Sequence, residues 1–296
     1  MEFRPFTVEL RTRFRGLTSR SGVLVRGTDA HGADHWGEYS PFADYDPARA
    51  NRWWCSALEA ARGDWPARVR DSVPVNSIVP QVDPEAAREY ATAHGARTAK
   101  VKVAGGAALA EDAARIEAVA DALGPGGAIR IDVNGGWDVD TAVAALVELE
   151  RAARAGGLAG LEYVEQPCES VEDLALLRRR SLTPVAADES IRIPGDPTAV
   201  LAAHAADVVI LKAQPLGGVR RALEIADQVY PLPVVVASAM ESSVGLAAGV
   251  ALACALPEEP LACGLGTGAL LATDTVRETL IPTRGRIGPA ALEVIA

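Results

Sequence analysis

The sequence is poor in the residues that build disulfide frameworks and zinc sites. It has four cysteines and four histidines in 296 residues. The cysteines stand at positions 55, 168, 254 and 263, and no two of them form a CxxC pair. Because disulfide-rich and zinc-binding folds show paired cysteine spacings, we expect free thiols that are buried or incidental.

The sequence also lacks a long hydrophobic run. The longest uncharged apolar stretch, 244–256, has thirteen residues, whereas a membrane-spanning helix needs roughly 20. The first ten residues, MEFRPFTVEL, contain two acids and a proline and no apolar signal core. We therefore expect a cytoplasmic protein with no membrane partner.

No extended cluster of basic residues offsets the formal net charge of −10. Such an acidic chain offers little to a phosphate backbone, so we expect no nucleic-acid partner. A small anionic substrate is still compatible with the charge, because a bound metal ion can dominate the local field. A monomer is among the oligomeric states that the sequence allows.

Two sequence patterns divide the chain. Residues 1–72 contain four of the five tryptophans and an alternating polar–apolar segment at 22–38, followed by a helical segment at 47–62. This pattern indicates antiparallel strands and one helix. From residue 73 to residue 268, short β-branched runs alternate with alanine-rich segments. We predict a capping domain at 1–72, completed by 269–296, and a barrel at 73–268.

The alternating region predicts eight strands and seven helices. The predicted strands are 73–79, 98–103, 129–133, 161–164, 184–187, 208–211, 234–237 and 261–263. The predicted helices are 84–94, 107–123, 138–154, 170–180, 196–205, 217–230 and 243–256. Strict alternation indicates a parallel sheet covered by helices, and eight strands indicate closure. The predicted fold class is α/β, a (β/α)7β modified TIM barrel with an α+β capping domain.

Three acids stand at the ends of successive predicted strands: Asp132, Glu165 and Asp188. Parallel barrels carry their active sites at the C-terminal ends of the strands, so these carboxylates should lie at one level of the barrel mouth. Oxygen ligands from neighbouring strands, with space for water and substrate, suit Mg²⁺. We expect one Mg²⁺ there; the alternative is that each acid caps a helix or pairs with a surface lysine.

Lysines flank the three acids. Lys100 and Lys102 are two residues apart on a predicted strand, so both should point into the barrel mouth. Two like charges side by side favour release of a proton, which suits Lys102 to act as a general base. Lys212 ends the sixth strand, across the mouth. The alternatives are a salt bridge to the acids for the pair and packing over the rim for Lys212.

Asn134 follows Asp132 by two residues. On a continuing strand it would point to the same side and could hydrogen-bond substrate or a water on the metal. If the strand ends earlier, Asn134 only begins the Asn-Gly-Gly turn.

This residue set resembles the enolase superfamily, in its muconate lactonizing subgroup. The resemblance lies in KxK on strand two, Asp, Glu and Asp on strands three to five, and Lys on strand six. The mandelate racemase branch is disfavoured, because 234–241 contains no histidine. The segments SAMESSVGLAAG and CGLGTG resemble the o-succinylbenzoate synthases, although Cys263 and Gly266 depart from the His and Asp of that family. The same segment lacks the Asp-x-Asp of dipeptide epimerases.

The resemblance implies a Mg²⁺-dependent syn dehydration of succinyl-hydroxycyclohexadiene carboxylate to o-succinylbenzoate, for menaquinone biosynthesis, through an enediolate. It implies that Lys102 removes the α-proton and then protonates the departing hydroxyl, that Lys212 is a stabilising cation, and that Lys100 supports Lys102. It also implies metal ligands and contacts to the succinyl tail. These are Asp132, Glu165 and Asp188 for the metal, and Ser238, Ser242 and Gly264 for the tail.

Two other functions remain open. In an N-acylamino acid racemase, Lys102 and Lys212 would exchange protons on opposite faces of one carbon. A non-catalytic barrel would bind a small carboxylate or an assembly partner. Muconate-type cycloisomerisation fits less well, because the cap loop and the chain are short. For the dehydration and for the racemisation, the expected partner is a small-molecule carboxylate.

Overall fold

The computed structural model describes residues 1–14, 16–193 and 197–295. Its N-terminal unit, residues 1–61, begins with a three-stranded antiparallel sheet. The strands are β1 (Glu2–Phe14), β2 (Leu17–Thr28) and β3 (Asp34–Tyr39). Helix α1 (Pro47–Ala61) covers one face of this sheet. The unit is therefore an α+β layer.

Helix α1 lies very close to the sheet. Its N-terminus is capped by Asp46, whose carboxylate accepts a hydrogen bond from the Arg49 amide at 2.9 Å. Gly37 of β3 lies under the helix, where a Cβ would collide with the carbonyl oxygen of Ala57. The close approach of helix and sheet thus requires glycine at this position.

The second unit is a parallel barrel, preceded by the two-residue strand β4 (Val73–Pro74). Seven strands in the described part of the chain form one sheet with parallel neighbours. In chain order they are β5 (Asn76–Val79), β6 (Thr98–Lys102), β7 (Ala128–Asp132), β8 (Tyr163–Glu165), β9 (Val185–Ala187), β10 (Val208–Leu211) and β11 (Val234–Val236). Their spatial order is β11-β10-β9-β8-β7-β6-β5.

Cys263 and Gly264 take the place of an eighth strand. Cys263 bridges Val75 in parallel, and Gly264 bridges Ala237 in parallel. The Gly264 amide donates a hydrogen bond to the carbonyl of Val236 at 2.8 Å. The segment thus joins both edges of the seven-stranded sheet and closes the barrel. This confirms the predicted fold class.

Helices cover the outside of the barrel. Within the described residues they are α2 (Pro84–Ala91), α3 (Leu109–Leu123), α4 (Val139–Ala155), α5 (Val171–Arg180), α6 (Glu189–Arg192), α7 (Ala199–Ala202), α8 (Ala213–Leu216), α9 (Val219–Val229) and α10 (Ser243–Ala255). The single-turn helices α6 and α8 follow the strand ends of β9 and β10, and sequence patterns do not predict them. They are too short to show a helical period.

Several predicted elements differ from the structure. The predicted strand 73–79 is two strands, because β4 pairs antiparallel with β12 (Arg286–Ile287), whereas β5 pairs in parallel with β6. The predicted helix 196–205 is only α7, which ends before His204 takes a left-handed backbone with φ 51°; residue 196 lies outside the described residues. Strand β1 was not predicted, because Phe6 and Val8 alternate with exposed polar residues in a charged segment.

Below the strand ends, the barrel interior holds an apolar cluster and a buried cation. The cluster consists of Tyr163, Ala186, Val208, Ile210, Val235 and Ala237. The cation is Arg130 of β7, which lies over the Tyr163 ring and pairs with Glu162. The C-terminal tail crosses to the N-terminal unit, where Leu271 bridges Leu10 and Val276 packs with Phe6 and Leu24. The domain boundaries at 72 and 268 stay predictions. Among the described helices, none combines the length and apolar character needed to cross a membrane.

Candidate active site

Parallel strand pairing brings the ionisable strand ends to one level. In the register of the sheet, Lys102 lies opposite Asp132, and Asp132 lies opposite Glu165. Asp188 and Lys212 come immediately after the last residues of β9 and β10. The five side chains therefore surround the mouth of the barrel at its C-terminal edge.

The lysine pair of β6 faces the barrel interior. The alternate residues Val101 and Val103 are buried in the layer between the sheet and the outer helices. Because side chains alternate along a strand, Lys100 and Lys102 point the other way. Lys100 is the deeper of the two, with 15% of its side chain exposed against 35% for Lys102.

Lys100 lies between two carboxylates. Its Nζ donates to Glu165 Oε1 at 2.9 Å and to Asp132 Oδ2 at 3.2 Å. Burial opposes the charge of Lys100, but the two carboxylates outweigh burial and raise its pKa well above the ordinary value. Lys100 is thus a fixed cation under the barrel mouth.

Lys102 lies at the same barrel mouth, but its ammonium group makes a longer contact with its acidic neighbour. Its Nζ is 3.6 Å from Asp132 Oδ1 and has no hydrogen-bond partner among the described residues. A nitrogen without a fixed hydrogen bond can approach a ligand without first breaking a contact. This geometry suits proton transfer better than that of Lys100.

Asp188 is held on both oxygens. Lys212 Nζ donates to Oδ2 at 2.6 Å, and Arg192 Nε donates to Oδ1 at 3.1 Å. The Asp188 side chain has no exposed surface. Burial would raise its pKa, but Arg192 and Lys212 prevail and hold the pKa below its usual range.

The other two acids respond differently to burial. Burial raises the pKa of Glu165 to about 7; Lys100 lowers it and the Asp132 carboxylate raises it further. Asp132 is also buried, but Lys100 and Lys102 outweigh the burial and lower its pKa. Three buried acids at one level thus require nearby positive charge to stay ionised.

The donor set fits a divalent cation of the hard, oxygen-seeking kind. All three acids stand at or directly after strand ends, and their carboxylate oxygens favour a hard cation over a softer metal. Within residues 1–14, 16–193 and 197–295, no three His, Cys, Asp or Glu side chains converge on a point as they stand. Lys100 and Lys212 draw these carboxylates to themselves instead. The assignment of the three acids as ligands stays a prediction.

The predicted substrate contacts differ in their surroundings. Asn134 is exposed at the mouth, takes a left-handed backbone with φ 51°, and donates from Nδ2 to Glu189 Oε1 at 3.2 Å. It therefore begins the turn, and it also faces the site. Ser238 Oγ lies 2.6 Å from Thr267 Oγ1. Its amide donates to the carbonyl of Gly264 at 3.1 Å.

Ser242 has different surroundings from Ser238. It is fully buried and caps α10 through the Val244 amide, and its hydroxyl is shared between Glu38 and Thr275. These contacts join the barrel to the N-terminal unit. They do not support a role at the succinyl tail, and that role stays a prediction.

Three further residues organise the site, and sequence analysis did not identify them. Gln166 is fully buried, and its Oε1 accepts the amide hydrogens of Asp188 and Ser190 at 3.0 and 3.1 Å. Arg192 donates to Asp188, and Glu189 accepts from both Asn134 and Arg192. The sequence signal for Glu189 and Arg192 was the segment ADESIR, in which two acids and an arginine lie close together at a strand end. Charges this close need oppositely charged or hydrogen-bonding partners when they are buried.

Comparisons with known proteins agree with this geometry. The chain matches the family Enolase C-terminal domain-like over residues 83–291 and Enolase N-terminal domain-like over residues 6–61. It is 57% identical to an o-succinylbenzoate synthase of Thermobifida fusca, over 96% of this chain and 86% of that protein.

Solved structures show the same fold at low identity. An N-succinyl Arg/Lys racemase from Bacillus cereus superposes with a TM-score of 0.83 at 21% identity, covering 99% of this chain and 94% of that one. A dipeptide epimerase from Enterococcus faecalis, complexed with Mg and a dipeptide, gives a TM-score of 0.81 at 19% identity, covering 99% and 97%. The domain matches and the 57% identity together show that the chain belongs to the enolase superfamily, in the family of the o-succinylbenzoate synthases.

Proposed function

We propose that this protein is an o-succinylbenzoate synthase. It would remove water, with syn geometry, from succinyl-hydroxycyclohexadiene carboxylate to give o-succinylbenzoate in menaquinone biosynthesis. The observation that carries the proposal is the pair of lysines, Lys102 and Lys212, on either side of three buried carboxylates at the barrel mouth. The relative at 57% identity supports the choice of reaction. We keep the cytoplasm as the proposed location, on the sequence features given above.

Mg²⁺ is the proposed cofactor, and Asp132, Glu165 and Asp188 would hold it. A divalent ion there would bind the substrate carboxylate and offset the negative charge that develops as the α-proton leaves. Lys100 and Lys212 pair with these acids, so the ion would share their carboxylates with the two ammonium groups.

Lys102 would act as base and then as acid. Its neutral Nζ takes the α-proton, and the electron pair of that C–H bond passes towards the substrate carboxylate. The electrons then return to form the ring double bond as the C–O bond breaks. The proton on Lys102 leaves with the hydroxyl as water, so one lysine on one face balances the reaction.

Lys212 would remain a cation on the opposite side of the substrate, where it stabilises the charge that develops. Lys100 would keep Asp132 and Glu165 ionised from below. Asn134, Ser238 and Gly264 are the proposed contacts of the substrate at the mouth, with Ser242 behind them. No step requires a further reagent.

The proposal is tested by following formation of the aromatic product by absorbance. Wild-type turnover should stop with EDTA and return with Mg²⁺. Lys102→Ala should lower kcat by roughly 10²- to 10⁴-fold, the usual contribution of a general base. Arg221→Ala is the matched control, since Arg221 is an exposed cation that pairs with Glu224 on α9. Turnover that survives both chelation and Lys102→Ala would overturn the assignment.

N-acylamino acid racemisation is the second candidate, favoured by the placement of lysines on both sides of the carboxylates. A racemase needs proton exchange at both lysines, whereas the elimination needs only a cation at position 212. Lys212→Arg should therefore abolish racemisation of an N-succinyl amino acid in heavy water and leave measurable dehydration. Deuterium exchange by the wild type that is lost in Lys212→Arg, together with no dehydration by the wild type, would favour the racemase.

A further inference from the structure

The carboxylate of Asp188 is connected to the N-terminal unit through one side chain. Arg192, on α6, donates from Nε to Asp188 Oδ1 at 3.1 Å and from Nη2 to Glu189 Oε1 at 2.6 Å. Its third nitrogen, Nη1, donates to the hydroxyl of Tyr45 in the N-terminal unit at 2.8 Å. The guanidinium therefore reaches the barrel mouth and the N-terminal unit at once.

A second contact fixes the same residue from the same unit. Arg52 Nη1, on α1, donates to the backbone carbonyl of Arg192 at 2.7 Å. The N-terminal unit thus holds Arg192 by its backbone and by its side chain. Because only 11% of the Arg192 side chain is exposed, water cannot readily replace these contacts.

Tyr45 is itself held by the N-terminal unit and by the barrel loop beyond β11. Its ring meets Phe42 edge to face at a centroid distance of 5.4 Å. Phe42 packs with Trp53 of α1 and with Ala239 of the loop. A shift of the N-terminal unit relative to the barrel would therefore displace the Tyr45 hydroxyl from Arg192.

We propose that Arg192 is a positioning residue that couples docking of the N-terminal unit to the orientation of Asp188. With the unit docked, Arg52 holds the Arg192 backbone and Tyr45 holds the guanidinium, so that Nε points at Asp188 Oδ1. With the unit displaced, Arg192 turns and Asp188 is left with Lys212 as its cation. The inference rests on the proposed metal role of Asp188. It adds that metal affinity depends on a contact made by the N-terminal unit.

Only a planar, forked cation can make these three contacts together. Lysine offers a single nitrogen at the end of a flexible stem, so it could pair with Asp188 but could not also reach Tyr45 and Glu189. Arg192→Lys should therefore keep the local charge and lose the coupling. Arg192→Met removes both.

The first experiment measures Mn²⁺ binding to the whole protein by electron paramagnetic resonance, without substrate. Wild-type binding should be lost in Asp188→Asn. Arg192→Met should weaken it roughly 10- to 100-fold, the usual effect of removing a residue that orients a metal ligand. Arg221→Met, which removes an exposed cation, should leave the affinity unchanged.

The second experiment tests the coupling. Tyr45→Phe removes one hydroxyl and keeps the ring, so it should weaken Mn²⁺ binding by a smaller factor. In the double variant with Arg192→Met it should add nothing, because both changes break one connection. Mn²⁺ should also slow hydrogen exchange at 42–54 in the wild type and not in Arg192→Met, since coupling between two sites is reciprocal.

Each outcome distinguishes this inference from the function on which it rests. If Arg192→Met lowers only the melting temperature while Mn²⁺ affinity is unchanged, the inference is wrong and the synthase assignment is unaffected. Fully additive effects of the two variants would also overturn it. If the wild type binds no Mn²⁺, or if Asp188→Asn binds Mn²⁺ as tightly as the wild type does, the metal role and this inference fail together.

Discussion

Glu38 is an acid that the fold buries almost completely, at 2% exposure. It lies on β3 and accepts hydrogen bonds from the Ser40 hydroxyl at 2.6 Å and from the Gly245 amide at 3.0 Å. Ser242 donates to it from both its amide and its hydroxyl. The carboxyl group thus joins the N-terminal unit to the first turn of α10.

The stability of the protein should depend on pH through Glu38. Burial raises its pKa from 4.5 to about 7, although the hydroxyl groups of Ser242 and Ser40 lower it. The folded state therefore binds this proton more tightly than the unfolded state. This contribution to stability is complete below pH 4.5 and is lost as the pH rises through 7.

The prediction is tested with Glu38→Gln, which cannot titrate. From pH 5 to pH 8 the free energy of unfolding of the wild type should fall relative to the variant by roughly 2 to 3 kcal/mol. Urea denaturation across this range measures the difference. A difference that does not change with pH would show that the carboxyl keeps its ordinary affinity for the proton.

The individual residues of the barrel mouth differ in whether the sequence predicts their role. Lys100, Asp132 and Glu165 were identified from their places at strand ends. Gln166 was not, because a buried amide gains its role only from the two loops that converge on it. Local spacing contains no information on such convergence.

Among the elements, helix α9 has an unusual beginning. Its N-cap residue, Gly218, has no side chain, and the amides of Val219 and Arg220 donate to the Glu59 carboxylate at 2.6 and 3.0 Å. Gly218 has φ 123°, and a Cβ there would collide with Glu59 Oε2. Helix α1 of the N-terminal unit therefore caps a helix of the barrel.

Removing this cap should destabilise the protein. Glu59→Ala should lower the free energy of unfolding by about 1 kcal/mol, with an upper bound of about 2, because two amide hydrogens lose their acceptor. Glu59→Gln keeps an oxygen acceptor and should cost less. Chemical denaturation at neutral pH measures both.

Glu224→Ala is the matched control on the same helix, where the side chain is exposed and pairs with Arg221. Its effect should stay within about 0.5 kcal/mol. Equal losses for Glu59→Ala and Glu224→Ala would mean that the Glu59 contact contributes nothing beyond a surface charge.

At the scale of the whole molecule, the contacts between the two units include three polar ones. These are the Glu38 contact with α10, the Glu59 contact with α9, and the connection from Tyr45 through Arg192 to Asp188. The third ends at a proposed metal ligand. Occupation of the metal site should therefore stabilise the whole chain.

Mg²⁺ binding should raise the melting temperature. At a hundredfold excess over its dissociation constant, a ligand that binds only the folded state adds about 2.7 kcal/mol. For a chain of this size that corresponds to roughly 5 °C. Thermal unfolding with Mg²⁺ and with EDTA measures the shift, and Asp188→Asn should remove it. An equal shift in Asp188→Asn would place the binding elsewhere.

The sequence by itself determined the barrel and the level of its active groups. Strand–helix alternation predicts closure, and the acids and lysines at successive strand ends must meet because parallel strands end at one edge. Family resemblance added the reaction. These inferences use only local periodicity and strand order.

Only the tertiary structure decided which cation meets which acid and how the N-terminal unit reaches the site. Lys100 between Asp132 and Glu165, and Arg192 between Asp188 and Tyr45, depend on distances between segments far apart in the chain. The short helix α6 that carries Arg192 has no periodic signal. Contacts of this kind follow from the packing of whole elements, and packing is not encoded in any local pattern.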